Sequence, residues 1–156
     1  MNHSIATAAS ADLADIARLF EAYQVHIGVD LSYQDFASEL AGLPGKYAPP
    51  AGRLLVARND AGRAIGCVAM RPLGNGACEM KRLFVTAEGR GLGLGRALAQ
   101  AIIDEARRCG YAEIRLDTLP TMREAIALYR ALGFETIDPY YDGAPARTIF
   151  LSHRIR

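Results

Sequence analysis

The sequence lacks the marks of a disulfide-stapled protein, a membrane protein or a nucleic-acid-binding protein. Its 156 residues include three cysteines, Cys67, Cys78 and Cys109, an odd number without C-x-x-C spacing, which disfavours a disulfide framework and a zinc site. It has no run of about 18 apolar residues, so no bilayer span is predicted. The net charge at pH 7 is only +1, which indicates neither a nucleic-acid-binding tail nor a membrane-surface helix.

A secretory signal and a metal-ligand pattern are also missing. Residues 1–9 have neither a basic n-region nor a long apolar run, so we expect a cytoplasmic protein with reduced thiols. The three histidines lie far apart and share no ligand spacing, so no metal is expected. Cys78 and Cys109 lie in apolar patterns without a nearby histidine, which disfavours a cysteine nucleophile.

What the sequence does contain is the composition of one globular domain, predicted over residues 1–156. Apolar residues make up 51% and charged residues 22%, so the chain can bury a core of its own. Helices are followed by a meander of strands, then strand–helix–strand, a helix and further strands. This order favours an α/β or α+β fold, with a mixed, mostly antiparallel sheet and helices on both faces.

Two periodicities locate these elements. Apolar residues three and four apart predict helices over residues 13–27, 32–42, 94–109 and 121–133. Short apolar runs between turn residues predict strands over 5–9, 53–58, 64–70, 78–85, 113–117, 134–137 and 147–153. Ser10, Ser32 and Thr121 are expected to open the first, second and last helix as caps.

A glycine-rich turn joins the strand that ends at Val85 to the third helix. It reads Gly-Arg-Gly-Leu-Gly-Leu-Gly-Arg over residues 89–96. Glycine reaches positive φ and lets the backbone approach a ligand, while the first amides of a helix lack intrahelical acceptors. Residues 81–96 also carry four basic side chains against one acidic one. The turn therefore predicts a site for an anion.

Two other glycine loops do not fit this turn. A phosphate-binding G-x-x-x-x-G-K-[ST] loop needs a lysine and a hydroxyl after its last glycine, whereas Arg96 and Ala97 follow Gly95. A dinucleotide-binding G-x-G-x-x-G loop lacks its third glycine whichever glycine of the turn starts it.

The pattern that does fit is [Q/R]-x-x-G-x-[G/A], with Arg90, Gly93 and Gly95 at its first, fourth and sixth positions. With it, the chain resembles the GNAT superfamily of N-acetyltransferases. Residues 79–85 look like the family's fourth strand, and residues 125–134 look like its A-x-x-L-Y-x-x-L-G-F segment. The resemblance extends from Gly76 to about Tyr141.

The resemblance implies that acetyl-CoA binds as co-substrate. In such enzymes the turn amides bind the pyrophosphate, and the pantetheine arm runs between the splayed fourth and fifth strands. Met122 stands where the family often has an asparagine, so the contact there is expected to be apolar, and Thr118 could add a polar one. The implied coenzyme-binding residues are Leu83, Phe84, Val85, Arg90, Gly91, Leu92, Gly93, Leu94, Gly95, Arg96, Thr118 and Met122.

Amine acetylation needs a neutral amine, a stabilised oxyanion and a proton for the leaving thiolate. Tyr129 resembles the family's general acid, and a phenol can donate a proton to a thiolate. Glu79 lies where some members place the carboxylate that deprotonates the amine, directly or through water. A main-chain N–H near Val85 is the expected oxyanion donor. The alternatives are an ordinary core tyrosine and a solvated acid at a strand end.

The predicted function is transfer of an acetyl group from acetyl-CoA to a primary amine of a small molecule, with both substrates bound together. A protein acetyltransferase acting on a lysine or N-terminal amine, and a non-catalytic acyl-CoA sensor, stay open as alternatives. The acceptor is expected to depend on residues 23–50 and 139–145, where Tyr140 and Tyr141 could line a pocket. The oligomeric state is left open, a homodimer included.

Overall fold

In the computed structural model, which describes residues 2–156, seven strands form one sheet. The strands are β1 (His3–Thr7), β2 (Arg53–Asn59), β3 (Ala64–Gly74), β4 (Ala77–Val85), β5 (Glu113–Thr118), β6 (Glu135–Ile137) and β7 (Ile149–Arg154). Their order is β1-β2-β3-β4-β5-β7-β6, and each neighbouring pair is antiparallel except β4 and β5, which are parallel.

Helices cover both faces of the sheet. They are α1 (Leu13–Ile27), α2 (Phe36–Ala41), α3 (Leu94–Arg108) and α4 (Arg123–Ala131). One apolar core joins α1 and α2 to the sheet through residues such as Phe20 and Phe36, and a second joins α3 and α4 to the opposite face through Leu98 and Tyr129. The predicted fold class, a mixed and mostly antiparallel sheet with helices on both faces, is confirmed.

The predicted helix caps are wrong. Ser10 starts a short 3-10 turn, and the N-cap of α1 is Asp12, whose carboxylate accepts a hydrogen bond from a backbone amide that precedes it. The amide of Ser32 donates to Asp30 (2.9 Å), which stabilises another 3-10 turn, so α2 begins at Phe36 instead. The start of α4 has no side-chain cap. In the first two places an aspartate accepts a hydrogen bond from a backbone amide of a 3-10 turn, and the helix begins after that turn.

The sheet forks between its two parallel strands. β4 and β5 pair from Ala77 opposite Glu113 as far as Glu79 opposite Arg115, and no further pair joins them towards Val85 and Thr118. Beyond Glu79 the two strands therefore present facing edges with free backbone donors and acceptors. We call this gap the fork.

A β-bulge at Arg82 accompanies the fork. On β3, Ala69 pairs with Lys81 and Cys67 pairs with Phe84, so one residue of β3 faces two residues of β4. Arg82 has a φ of 61°, in the left-handed region that non-glycine residues seldom adopt. A bulge bends its strand and interrupts the alternation of side chains. As a result, Lys81 and Arg82 both point to the face that α1 and α2 cover.

Buried contacts hold the Arg82 side chain on that face. Its guanidinium donates two hydrogen bonds to Glu39 on α2 (2.9 and 2.8 Å) and one to Gln34 (2.8 Å). It also lies over the rings of Tyr23 (5.7 Å) and Phe36 (5.2 Å). The Arg82 side chain is only 2% exposed, so α2 supplies the charge that this bulge residue requires.

Replacement of Glu39 by glutamine is expected to lower the free energy of unfolding by about 3 kcal/mol, because the buried guanidinium loses its counter-charge. Urea unfolding followed by circular dichroism measures this change. Glu21→Gln, at an exposed position of α1, is the matched control and should change the stability by less than about 0.5 kcal/mol. Equal losses in the two variants would contradict a stabilising role for the Arg82–Glu39 pair.

Candidate active site

The glycine turn forms an open cradle at the start of α3. Gly91 and Gly93 have φ values of 80° and 69°, which explains why glycine is needed at these two positions. A Cβ at either would meet nothing within 4 Å, so the turn faces open space. The first backbone bond of α3 runs from Ala97 to the Gly93 carbonyl (3.1 Å), which leaves the preceding helical amides available to a ligand.

A cavity of about 890 Å³ lies between this turn, the end of β4 and the start of α4. The predicted coenzyme-binding residues that line it are Leu83, Phe84, Val85, Arg90, Gly91, Gly93, Leu94, Gly95 and Met122. Leu92 and Arg96 belong to the same turn but do not line the cavity, and Thr118 lines a smaller cavity beside it. The structure thus gathers most of the predicted set around one space.

The large cavity has a mixed lining. Arg90, Arg123 and the turn provide positive and polar groups, whereas Val85, Leu128 and Met122 provide apolar walls. A long ligand with an anionic end and an apolar arm fits this lining.

Sequence reasoning missed part of the cavity lining. His26 comes from the end of α1, where its Nδ1 lies 3.4 Å from a guanidinium nitrogen of Arg90, and Arg123 and Glu124 come from the start of α4. These residues are distant from the turn in sequence, and no local pattern marks them.

A small cavity of about 40 Å³ lies at the fork, between β4 and β5. Tyr129, Asp117, Thr118 and Leu83 are among the residues that line it. Tyr129 is nearly buried and belongs to the core that α3 and α4 form with the sheet. Burial raises the pKa of Tyr129, with a further contribution from the nearby Asp117 carboxylate. The phenol is therefore protonated at neutral pH and can donate its proton.

A third cavity, of about 450 Å³, lies on the side of α2. Its walls come from residues 33–47, from Arg71 on β3, from Glu79 and Lys81 on β4, and from Tyr141 in the loop between β6 and β7. Residues 33–47 and Tyr141 belong to the two chain regions that were predicted to contact an acceptor. Strands β3 and β4 supply the other lining residues. Tyr33 and Gln34 line this cavity and the fork cavity, while Leu83 and Met122 line the fork cavity and the large one.

Glu79 forms part of the wall of the third cavity. Its side chain is 1% exposed, so it is not a solvated acid at a strand end. Its carboxylate accepts hydrogen bonds from Arg71 (2.8 Å) and from the Tyr140 hydroxyl (2.6 Å), and the Lys81 ammonium lies 3.9 Å away. Burial alone would raise the pKa of Glu79, but Lys81, Tyr140 and Arg71 together lower it below its ordinary value. Glu79 is thus an ionised carboxylate with its charge compensated.

The cysteines do not form a reactive centre. All three are free thiols, and Cys67 and Cys78 are buried. Burial raises the pKa of Cys78 to about 12, so the thiolate needed for nucleophilic attack is not formed at neutral pH. Among residues 2–156, no three His, Cys, Asp or Glu side chains group in a way that could hold a metal ion. Every helix in the same range falls short of the length and apolarity that a membrane crossing requires.

Comparisons with known proteins show which family shares this sequence and fold. The family model described as "Acetyltransferase (GNAT) family" matches residues 5–134. An uncharacterized N-acetyltransferase of Schizosaccharomyces pombe is 44% identical over 141 residues, which cover 90% of this chain and 86% of the relative.

Solved structures share the fold over nearly the whole chain. A GNAT-family acetyltransferase from Staphylococcus aureus has a TM-score of 0.84 at 19% identity, with 99% of this chain and 100% of the other covered. A phosphinothricin acetyltransferase from Sinorhizobium meliloti, solved in complex with acetyl-CoA, has a TM-score of 0.75 at 22% identity, with 99% and 89% covered.

The forked sheet with its cavities thus defines an acyltransferase, and the named relatives show that it is an N-acetyltransferase. The chain belongs to the acetyltransferase (GNAT) family, in which acetyl-CoA is the co-substrate. The resemblance seen in the glycine turn and in the tyrosine segment is thereby confirmed.

The two glycines of the turn motif are expected to respond differently to alanine. At Gly93, alanine would adopt a positive φ at a cost of about 1–2 kcal/mol, and relaxation of the turn would weaken acetyl-CoA binding about tenfold. Gly95 is helical, and a Cβ there would lie 4.0 Å from Leu128 and Val85, so Gly95→Ala should bind normally and gain up to about 1 kcal/mol in stability. Calorimetric titration and thermal unfolding test both variants. Equal acetyl-CoA affinities of the two variants would contradict the assignment of the turn as part of the acetyl-CoA site.

Proposed function

We propose that this enzyme transfers the acetyl group of acetyl-CoA directly to a primary amine of a small molecule while both substrates are bound. The observation that carries this proposal is the meeting of the two large cavities at the fork, where Tyr129 is placed. Tyr33 and Leu83 mark the two sides of that junction. A donor entering along β4 and an acceptor entering from α2 would meet there without a covalent enzyme intermediate.

The donor occupies the large cavity in this proposal. The amides of the turn and the Arg90 guanidinium bind the pyrophosphate, since they are hydrogen-bond donors in the cavity lining. The backbone of Leu83, Phe84 and Val85 lines the course of the pantetheine arm, because β4 has no strand partner on the side of the fork. Bound acetyl-CoA then brings its thioester carbonyl to the fork.

The acceptor occupies the cavity of about 450 Å³. This volume lies in the range of about 300–1,000 Å³ that is usual for sites of small molecules. Residues 33–47 and Tyr141 form part of its walls. Such walls favour a small amine over the lysine of a folded protein, which would need an open groove. The three free thiols support the proposed cytoplasmic location.

Tyr129 acts as the general acid. Its phenol donates a proton to the sulfur of the leaving thiolate, and its position at the junction puts it within reach of either substrate. A main-chain N–H near Val85 stabilises the oxyanion, because the fork leaves amides of β4 unpaired.

We assign Glu79 an electrostatic part in the acceptor site. Its two recorded hydrogen bonds come from Arg71 and Tyr140, and its lowered pKa makes it a weak base, so these contacts weigh against direct proton transfer to it. The pH–rate profile of Glu79→Gln is therefore expected to keep its acidic limb. Loss of that limb would restore Glu79 as the general base.

A thiol-release assay with acetyl-CoA and a panel of polyamines, amino acids, aminoglycosides and peptides tests the function. We expect turnover with at least one small amine and none with peptides. Turnover with peptides alone would indicate a protein acetyltransferase. Tight binding of acetyl-CoA without turnover of any amine would indicate a sensor.

Tyr129→Phe removes the hydroxyl and keeps the ring that packs on Phe134 (5.6 Å between centroids). We expect kcat to fall at least tenfold, since general acids typically contribute about 10²- to 10⁴-fold, while acetyl-CoA binds as before. Tyr111→Phe is the control, because the Tyr111 hydroxyl donates to the Ala51 carbonyl outside the three cavities. Equal kcat values for wild type and Tyr129→Phe would remove the proton-donor role.

A further inference from the structure

Asp117 lies at the opening of the fork, on the side of the acceptor cavity. Arg115 pairs with Glu79 where β4 and β5 are last joined, and Asp117 is two residues further along β5. Side chains on alternate positions of a strand share a face, so Asp117 lies on the same face as Arg115, which contacts the Tyr140 ring (5.6 Å). Lys81 occupies the corresponding place on β4, across the gap.

Asp117 lies nearer to the place of acetyl transfer than Glu79 does. Asp117 and Tyr129 line the same cavity at the fork, whereas Glu79 lines the acceptor cavity. Tyr33 lines both cavities, so a ligand that passes from one to the other moves past it towards Asp117. A carboxylate that meets the attacking nitrogen is therefore better placed on β5 than on β4.

The two carboxylates also differ in their partners. Glu79 has Arg71 at 2.8 Å and Lys81 at 3.9 Å, whereas no lysine or arginine of residues 2–156 pairs with Asp117. The recorded partner of Asp117 is the Tyr141 hydroxyl, which donates to Oδ2. Lys81 lies near enough to interact with the charge of this half-buried carboxylate but forms no ion pair with it, so a ligand ammonium can still bind there as a counter-charge.

The negative charge of Asp117 shifts the pKa values of the groups around it. Burial raises the pKa of five tyrosines from four different segments, and the charge of Asp117 raises it further; the same charge opposes the burial that lowers the pKa of Lys81. The titratable groups that face Asp117 are Tyr23 on α1, Tyr33 before α2, Lys81 on β4, Tyr129 on α4, and Tyr140 and Tyr141 in the loop after β6. The phenols remain neutral at physiological pH, so Lys81 is the cation in this set, and it donates to Gln34 (2.9 Å).

From this placement we infer that Asp117 binds the acceptor's ammonium group and takes its first proton. The inference rests on the proposed function, since it names the residue that receives the amine. Asp117 would be a catalytic residue, and Tyr141 a positioning residue that fixes one carboxylate oxygen and leaves the other to the substrate.

The protons and electrons of the transfer then balance. The ammonium gives one proton to Asp117, and the freed nitrogen lone pair forms the C–N bond with the acetyl carbon. The C–S bond breaks, its electron pair goes to sulfur, and sulfur takes the Tyr129 proton. The second proton lost by nitrogen restores the Tyr129 hydroxyl, and Asp117 releases its proton to solvent. The products are the acetamide, the free thiol and one proton.

The test compares Asp117→Asn with wild type, using the panel amine that wild type acetylates best. Wild type is expected to hold a level kcat/KM across the neutral range, because ammonium and carboxylate are both present. The variant needs the neutral amine, so its kcat/KM should be at least tenfold lower at pH 7 and rise about tenfold per pH unit up to the amine's own pKa. Asp142→Asn, an exposed neighbour of Tyr141, should behave as wild type.

Hydroxylamine provides a second measurement, because it is a nucleophile that is uncharged at neutral pH. After subtraction of the uncatalysed rate, Asp117→Asn should release thiol with hydroxylamine at close to the wild-type rate and bind acetyl-CoA with wild-type affinity. Loss of the hydroxylamine rate in a variant that still binds acetyl-CoA, or a wild-type pH profile with the amine, would overturn the inference. Failure of wild type to acetylate any amine would instead refute the proposed function.

Discussion

The buried pair of Arg82 and Glu39 is the interaction on which the geometry of the site depends. It holds a residue of positive φ in the middle of β4, where the bulge bends the strand and sends two consecutive side chains to one face. The same pair ties α2, and with it a wall of the acceptor cavity, to the strand that lines the donor cavity. One charged contact therefore couples the position of α2 to the course of β4.

The fork places two carboxylates in unlike surroundings, although both lie on the same face of the sheet. Glu79 is enclosed by Arg71, Tyr140 and Lys81. Its charge is compensated by these neighbours, and the contacts stabilise the cavity wall. Asp117 accepts a hydrogen bond from the Tyr141 hydroxyl, and no lysine or arginine of residues 2–156 forms an ion pair with it. Environments that separate two acids in this way usually separate their tasks, one structural and one chemical.

Sequence reasoning predicted what local patterns encode. The glycine turn, the strand–helix–strand order and the helix that carries Tyr129 follow from spacing and periodicity within short stretches, whereas the splayed strands and the role of Tyr129 came from the family resemblance. The bulge at Arg82 has no local signal, because a lone arginine in a strand does not reveal a positive φ. The pairing of Asp117 with Tyr141 was equally hidden, since these residues meet only because β7 lies between β5 and β6 in the sheet. The caps were misplaced where an aspartate close to the expected serine stabilises a 3-10 turn and the helix begins further along the chain.

The unpaired edges of β4 and β5 leave the sheet unfinished at its centre. A ligand arm that lies in this gap takes the place of a missing strand. The two strand edges that it contacts exist only in the folded protein. Any ligand that binds only the folded protein stabilises it by mass action. For this enzyme, the amount of acetyl donor in the cell is therefore also a term in the folding equilibrium of the protein that consumes it.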